Sequence, residues 1–185
     1  MGDEGTAPAG ADEGSVTLGA GEGPAPRLLE CFPDALAAAD ALRARAWRVA
    51  VGESCTGGLL GAALTAVPGS SAYMLGGVIA YDNAVKIELL DVPADVLARH
   101  GAVSEEVAAA MARGARDRLG ADVGVGVTGV AGPGADEGGK PAGLVFVAAA
   151  TATAERLVQI DGDRGREGNR VAAVRAALRL LVELV

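Results

Sequence analysis

Six residues, Glu53-Ser54-Cys55-Thr56-Gly57-Gly58, separate two stretches of different character. Before them, positions 47–52 (Trp-Arg-Val-Ala-Val-Gly) form a short apolar run with the composition of a buried strand. After them, Leu59-Leu60-Gly61-Ala62-Ala63-Leu64 belongs to a helix over about 57–66. A strand that passes into a helix through so short a hydroxyl- and glycine-rich junction commits the chain to layered α/β architecture. Ser54 and Thr56 suit a helix cap in a tight turn. The same groups, with the amides of a helix N-terminus, suit a phosphate or a developing oxyanion. Residue types alone leave both uses open.

The rest of the chain fits that architecture. Half of the 185 residues are hydrophobic but only 3% are aromatic, so Ala, Val and Leu must build the core. Positions 1–27 hold Gly, Ala, Pro and acidic residues with few large apolar side chains, and are expected to form a disordered acidic tail ahead of one domain over 28–185. A helix is expected over 32–46, with Pro33 in its first turn and Leu36, Ala39 and Leu42 on its apolar stripe. Pro68-Gly69-Ser70-Ser71 marks a turn, and 73–81 a second strand closed by Tyr81. If a helix starts near Asn83, Lys86 falls in its first turn, where a cation opposes the helix dipole; by residue type alone it reads as a solvated lysine. A short helix over 93–100 precedes a longer one capped by Ser104, with Val107, Met111, Ala115 and Leu119 as its buried face. Positions 121–128 alternate Val with Ala and Gly, as a closely packed buried strand does. Two more strands over 143–150 and 156–160 form a hairpin, and a last helix covers 167–184. The expected fold is a layered single α/β domain whose mixed, mostly parallel β-sheet is flanked by helices.

Charge and composition exclude several functions. A formal charge of −8 opposes nucleic acid as the main partner. No apolar stretch is long enough to span a membrane, and the N-terminus lacks a signal-peptide pattern, so a cytoplasmic location without membrane association is expected. Two cysteines give no disulfide framework, and a single histidine, His100, cannot build a multi-histidine zinc site. A serine hydrolase in this chain would take Lys or Tyr as its proton acceptor. The run from Gly134 to Lys140 imitates part of a phosphate-binding loop. Pro141 stands where a magnesium-binding hydroxyl belongs and a strand follows where a helix is needed, so that reading is rejected.

Several motifs in register carry a resemblance. Glu53-Ser54-Cys55-Thr56-Gly57-Gly58, Pro68-Gly69-Ser70-Ser71, Tyr81-x-Asn83-x-x-Lys86 and Gly101-Ala102-Val103-Ser104-Glu105 occur in order. Thr128-Gly129-x-Ala131-Gly132-Pro133-Gly134 and Lys140-Pro141-x-Gly143 continue the series. Over about 30–185 the chain resembles the CinA C-terminal domain family, whose members include nicotinamide mononucleotide deamidases. Gly76-Gly77 departs from the Arg-Gly pair frequent there. The separate N-terminal domain of longer CinA proteins is not expected, and the chain reads as a stand-alone deamidase.

The resemblance implies hydrolysis of the carboxamide of nicotinamide mononucleotide to nicotinate mononucleotide and ammonia, with Ser54, Tyr81 and Lys86 as catalytic residues. Ser54 would be the nucleophile, Lys86 the proton acceptor if its pKa is lowered, and Tyr81 a relay or support. Amides near Cys55, Thr56, Gly57 and Gly58 are expected at the oxyanion. Gly129, Gly132 and Gly134 with Arg164 are expected at the substrate phosphate, and Asn83 at the amide or as a helix cap. Cys55 is a rival nucleophile. The chemistry requires no metal and no organic cofactor; the partner is a small-molecule nucleotide, with a homodimer as a further expectation. The alternative is an inactive nucleotide-binding or competence- or damage-associated regulatory module.

Overall fold

A computed structural model describes residues 28–185; the expected tail over 1–27 lies outside them. The described elements are helices α1 (Leu28–Cys31), α2 (Asp34–Ala44), α3 (Leu59–Thr65), α4 (Asn83–Leu90), α5 (Ala94–His100), α6 (Glu105–Leu119) and α7 (Gly165–Leu184). Strands are β1 (Val49–Glu53), β2 (Met74–Ile79), β3 (Val123–Gly129), β4 (Val145–Ala150) and β5 (Glu155–Ile160). The expected layered α/β fold with a mixed sheet is what forms. The five strands lie in the order β2-β1-β3-β4-β5. β1 pairs in parallel with β2 and β3, while β3–β4 and β4–β5 are antiparallel.

Alternation along the central strands sorts side chains to the two faces. Val49 and Val51 of β1 and Val123, Val125 and Val127 of β3 join a core with α2, α3 and α7. Ala50 points the other way, toward Leu90, Val107 and Met111. On that second face β3 presents Gly124 and Gly126, followed by Thr128. A Cβ at Gly124 would overlap the Ala112 carbonyl oxygen, and one at Gly126 would overlap that of Ala108, so α6 rests directly on the strand backbone. Gly114 answers from α6, meeting the Leu90 carbonyl at the end of α4. The Val-Gly-Val-Gly-Val sequence is therefore two surfaces at once, a packing ridge and a helix seat.

Expected boundaries shift modestly. In α2 the buried residues are Ala35, Ala38, Ala39 and Leu42, while Leu36 is 47% exposed. The buried residues pack into the core shared with α7, and Leu36 lies off that face. α6 follows its expected face, with Val107, Met111 and Ala115 buried and the Ser104 hydroxyl accepting from the Val107 amide at 3.3 Å.

Substituting Gly126→Ala forces α6 off β3 and is expected to lower stability by about 1–3 kcal/mol, the range for overpacked cores. Urea unfolding would show this as a lower midpoint with an unchanged slope.

Candidate active site

The buried carboxylate of Glu53 (1% exposed) shapes the β1–α3 junction. Its Oε2 accepts from the amides of Gly58 and Leu60, both at 3.0 Å, and its Oε1 from Gly61 at 2.8 Å. Three of the donors a helix start leaves open are thereby satisfied from inside the protein. Gly57 and Gly58 take left-handed φ values of 58° and 90°, which lets the loop double back onto that carboxylate. From α7, Arg170 donates to the Thr56 carbonyl through Nη2 at 2.7 Å and Nε at 3.3 Å, bracing the loop from outside. The Ser54 amide extends the β1–β3 pairing by donating to the Val127 carbonyl at 2.9 Å. Ser54 is nine-tenths buried, and among the described residues its hydroxyl has no hydrogen-bond partner.

Lys86 is the second buried polar group here, 1% exposed rather than solvated. Asp82 caps α4 by accepting from the Ala84 amide at 2.8 Å, so Asn83 is not the cap. Lys86, in the first turn of α4, donates through Nζ to the carbonyls of Ala80 at 2.8 Å and Tyr81 at 3.1 Å. Burial lowers its pKa, since the ammonium loses hydration there; negative charge on Asp82 and Cys55 acts in the opposite direction. Burial also pushes the Cys55 thiol up to about 12, leaving little thiolate at neutral pH.

These groups line one cleft of about 430 Å³. Ser54 and Cys55 enter from the end of β1, and Thr128, Gly129 and Ala131 from the end of β3. Tyr81, Asn83 and Lys86 come from the β2–α4 connection, and Asp136, Glu137 and Gly138 from the loop before β4. The cleft thus lies outside the carboxyl ends of β1 and β3. There the chain has left β1 for β2 on one side and returned to β3 on the other, the usual ligand position in open α/β sheets.

Among the expected site residues, Ser54, Tyr81, Asn83, Lys86 and Gly129 meet in this cleft. Thr56, Gly57, Gly58, Gly132, Gly134 and Arg164 do not line it. The Gly58 amide is committed to Glu53, and the Arg164 guanidinium folds onto its own turn, donating to the carbonyls of Asp161 at 3.2 Å and Gly162 at 2.6 Å. Asn169, 2% exposed, ties that turn to the glycine loop: Nδ2 donates to the Ala131 carbonyl at 3.1 Å and Asp163 Oδ1 at 2.8 Å. This bond, with one from the Gly165 amide, holds the Asp163 carboxyl below the usual range.

Two further positions matter here: Arg166, which no sequence motif marks, and Thr128, which opens one of the motifs without an assigned role. Arg166, exposed in the first turn of α7, donates through Nη1 to the Gly132 carbonyl at 2.7 Å and through Nη2 to the Tyr81 hydroxyl at 3.3 Å. It places a guanidinium beside Tyr81, which is itself 60% exposed. Thr128 is buried and donates to the Ala102 carbonyl at 2.7 Å, holding the α5–α6 connection against β3. Among the described residues, no three His, Cys, Asp or Glu side chains converge as a metal-binding set, and no helix is long and apolar enough to cross a membrane.

Comparison with known proteins places this geometry in a family. The model of the CinA C-terminal domain matches residues 34–185. A CinA-like protein of Parasynechococcus marenigrum is 58% identical over 139 residues, covering 71% of this chain and 32% of that protein. A CinA-like protein of Synechococcus sp. (strain RCC307) is 55% identical over 142 residues, covering 76% and 34%. The chain thus spans about a third of the length of these curated relatives. Among solved structures, the competence/damage inducible protein CihA from Agrobacterium tumefaciens superposes with a TM-score of 0.79 at 37% identity, covering 91% of this chain and 99% of that one. A competence-damaged protein (CinA) superfamily protein from Escherichia coli gives 0.80 at 35% identity, covering 84% and 90%. With a family match from α2 to the last residue and a shared fold, this chain belongs to the CinA C-terminal domain family.

Proposed function

We propose that the cleft hydrolyses the carboxamide of nicotinamide mononucleotide, giving nicotinate mononucleotide and ammonia, through Ser54 as nucleophile. The observation that carries this reading is the burial of Lys86 in the same cleft as the unpartnered Ser54 hydroxyl. A buried lysine is costly as an ammonium and useful as an amine. In the neutral state its two N–H groups satisfy the Ala80 and Tyr81 carbonyls, and its lone pair is left to accept a proton.

The serine oxygen bonds to the amide carbon while its proton passes to Lys86 Nζ. Collapse breaks the C–N bond, the Lys86 proton goes to the departing nitrogen, and ammonia leaves behind an ester on Ser54. Water then attacks the ester, gives its proton to Lys86, and the serine hydroxyl is restored as the acid product departs. The oxyanion would be met by the amides of Cys55 and Thr56, because those of Gly57, Gly58, Leu60 and Gly61 are engaged by Ser54 and Glu53. Cys55 is the weaker nucleophile, since its thiol stays protonated. Tyr81 supports Lys86 through its carbonyl and flanks the cleft mouth with its ring. Arg166, beside it, is the guanidinium best placed for the substrate phosphate.

Ser54→Ala is expected to lower ammonia release by on the order of 10³-fold or more, measured with the mononucleotide as substrate. Binding without ammonia release by the wild type would instead identify a nucleotide-binding module. Because the ammonium form of Lys86 cannot accept a proton, kcat/KM is expected to rise with pH along a limb whose midpoint lies below the ordinary lysine value of about 10.4. A pH–rate profile of wild type against Lys86→Met checks this, since the variant lacks the limb. Arg166→Ala is expected to raise KM for the mononucleotide by about tenfold or more while leaving KM for the phosphate-free riboside nearly unchanged.

A further inference from the structure

The loop before β4 brings two carboxylates to the cleft, and neither has a role in the chemistry above. Asp136 and Glu137 both line it. The loop is fixed: the Asp136 amide donates to the Lys140 carbonyl at 3.0 Å, the Gly139 amide to the Asp136 carbonyl at 3.0 Å, and the Lys140 amide to Asp136 Oδ1 at 2.8 Å. The Lys140 ammonium is turned away, donating to the carbonyls of His100, at 2.9 Å, and Val103. Among the described residues neither carboxylate is in an ion pair, and Asp136 Oδ2 and the whole Glu137 carboxylate carry no hydrogen bond. Lys86 is the one cation among the lining residues, and its charge is disfavoured by burial. The cleft is therefore net negative beside the nine-tenths-buried, unpartnered Ser54 hydroxyl that marks the reacting end of a ligand.

We propose that Asp136 and Glu137 are the charge-selecting element of this cleft: they favour a carboxamide ring that is itself a cation, an N-substituted pyridinium, over a neutral ring and over the anionic acid. The proposal rests on the amidohydrolase reading of the same cleft. Unneutralised carboxylates at the wall attract a ring cation and repel the carboxylate that hydrolysis creates, so one pair of charges serves both substrate capture and product release. A phosphate at Arg166 and a cationic ring at Asp136–Glu137 make the layout complementary to a zwitterion.

Binding of two compounds that differ in ring charge, 1-methylnicotinamide and nicotinamide, tests this by calorimetry on the full chain without turnover. Failure of the deamidase reading (no ammonia from the mononucleotide) and failure of this one (no charge preference) are thus separate results. The wild type is expected to prefer the cation by roughly three- to tenfold at low ionic strength, as expected for partly solvated charges at such range. Added salt should shrink the preference. Asp136→Asn with Glu137→Gln keeps the acceptor for the Lys140 amide and should bring the ratio close to one. Glu137→Lys alone, at an exposed position, should also abolish the preference for the cation. Equal affinity in the wild type, or an unchanged ratio in both variants, overturns the proposal. If the double variant weakens binding of the riboside while the ratio of 1-methylnicotinamide to nicotinamide is unchanged, the proposal is also overturned and the carboxylates belong to the sugar hydroxyls.

Discussion

The burial of one carboxylate against a helix start organises this site. A helix N-terminus in an α/β fold ordinarily offers its amides to an external anion. Here Glu53 supplies that anion from the last position of β1 and takes up the amides of Gly58, Leu60 and Gly61. The charge is matched where it stands, and the loop between strand and helix is pulled tight enough to present Ser54 and Cys55 at the sheet edge. The α3 start therefore offers no open amides to an external anion, and the guanidinium nearest the cleft mouth is that of Arg166, beside Tyr81. The junction behaves as a rigid mount for Ser54 more than as a cradle.

Around that mount the sheet divides the labour. Its parallel part, β2-β1-β3, brings Ser54, Cys55 and Thr128 to the cleft from strand ends, and α4, which follows β2, adds Lys86. Its antiparallel part, β4–β5, widens the platform on which α7 lies, and α7 in turn reaches back with Arg166, Asn169 and Arg170 to the Ala131–Gly132 loop, to Tyr81 and to Thr56. The last helix is therefore as much a part of the site as the first strand, although more than 100 residues separate them in the chain.

Much of this was legible in the chain. Short strands bounded by glycine, the Ser104 cap and the alternation of Val with Gly in β3 are local signals, and local physics produces those elements. Ser54 and Lys86 were legible only as a set, because several motifs in order resemble one family, whereas each residue alone reads as a cap or a surface charge. The burial of Lys86 was not legible: it follows from Ala80 and Tyr81 turning their carbonyls inward at the end of β2, a tertiary arrangement no periodicity encodes. The positions of Arg164 and Arg166 escaped the sequence for a similar reason. Two residues apart, one faces its own turn and the other the cleft mouth, and only the way α7 meets the glycine loop decides between them. Leu36 misled because helical spacing does not say where the buried stripe ends: Ala39 and Leu42 are inside it and Leu36 is not.

The glycine seat of α6 on β3 has a reach beyond packing. With Gly124 and Gly126 holding two backbones in contact, the distance from α6 to the sheet is set by backbone atoms, and any side chain added at either glycine would force the two apart. The cleft floor at the end of β3 inherits that fixed spacing. Variation in what such a cleft accepts is then confined to its rim, to positions such as Asp136, Glu137 and Arg166 that belong to loops and helix ends. A fold built this way can change its ligand by exchanging rim charges while the floor stays the same from one descendant to the next.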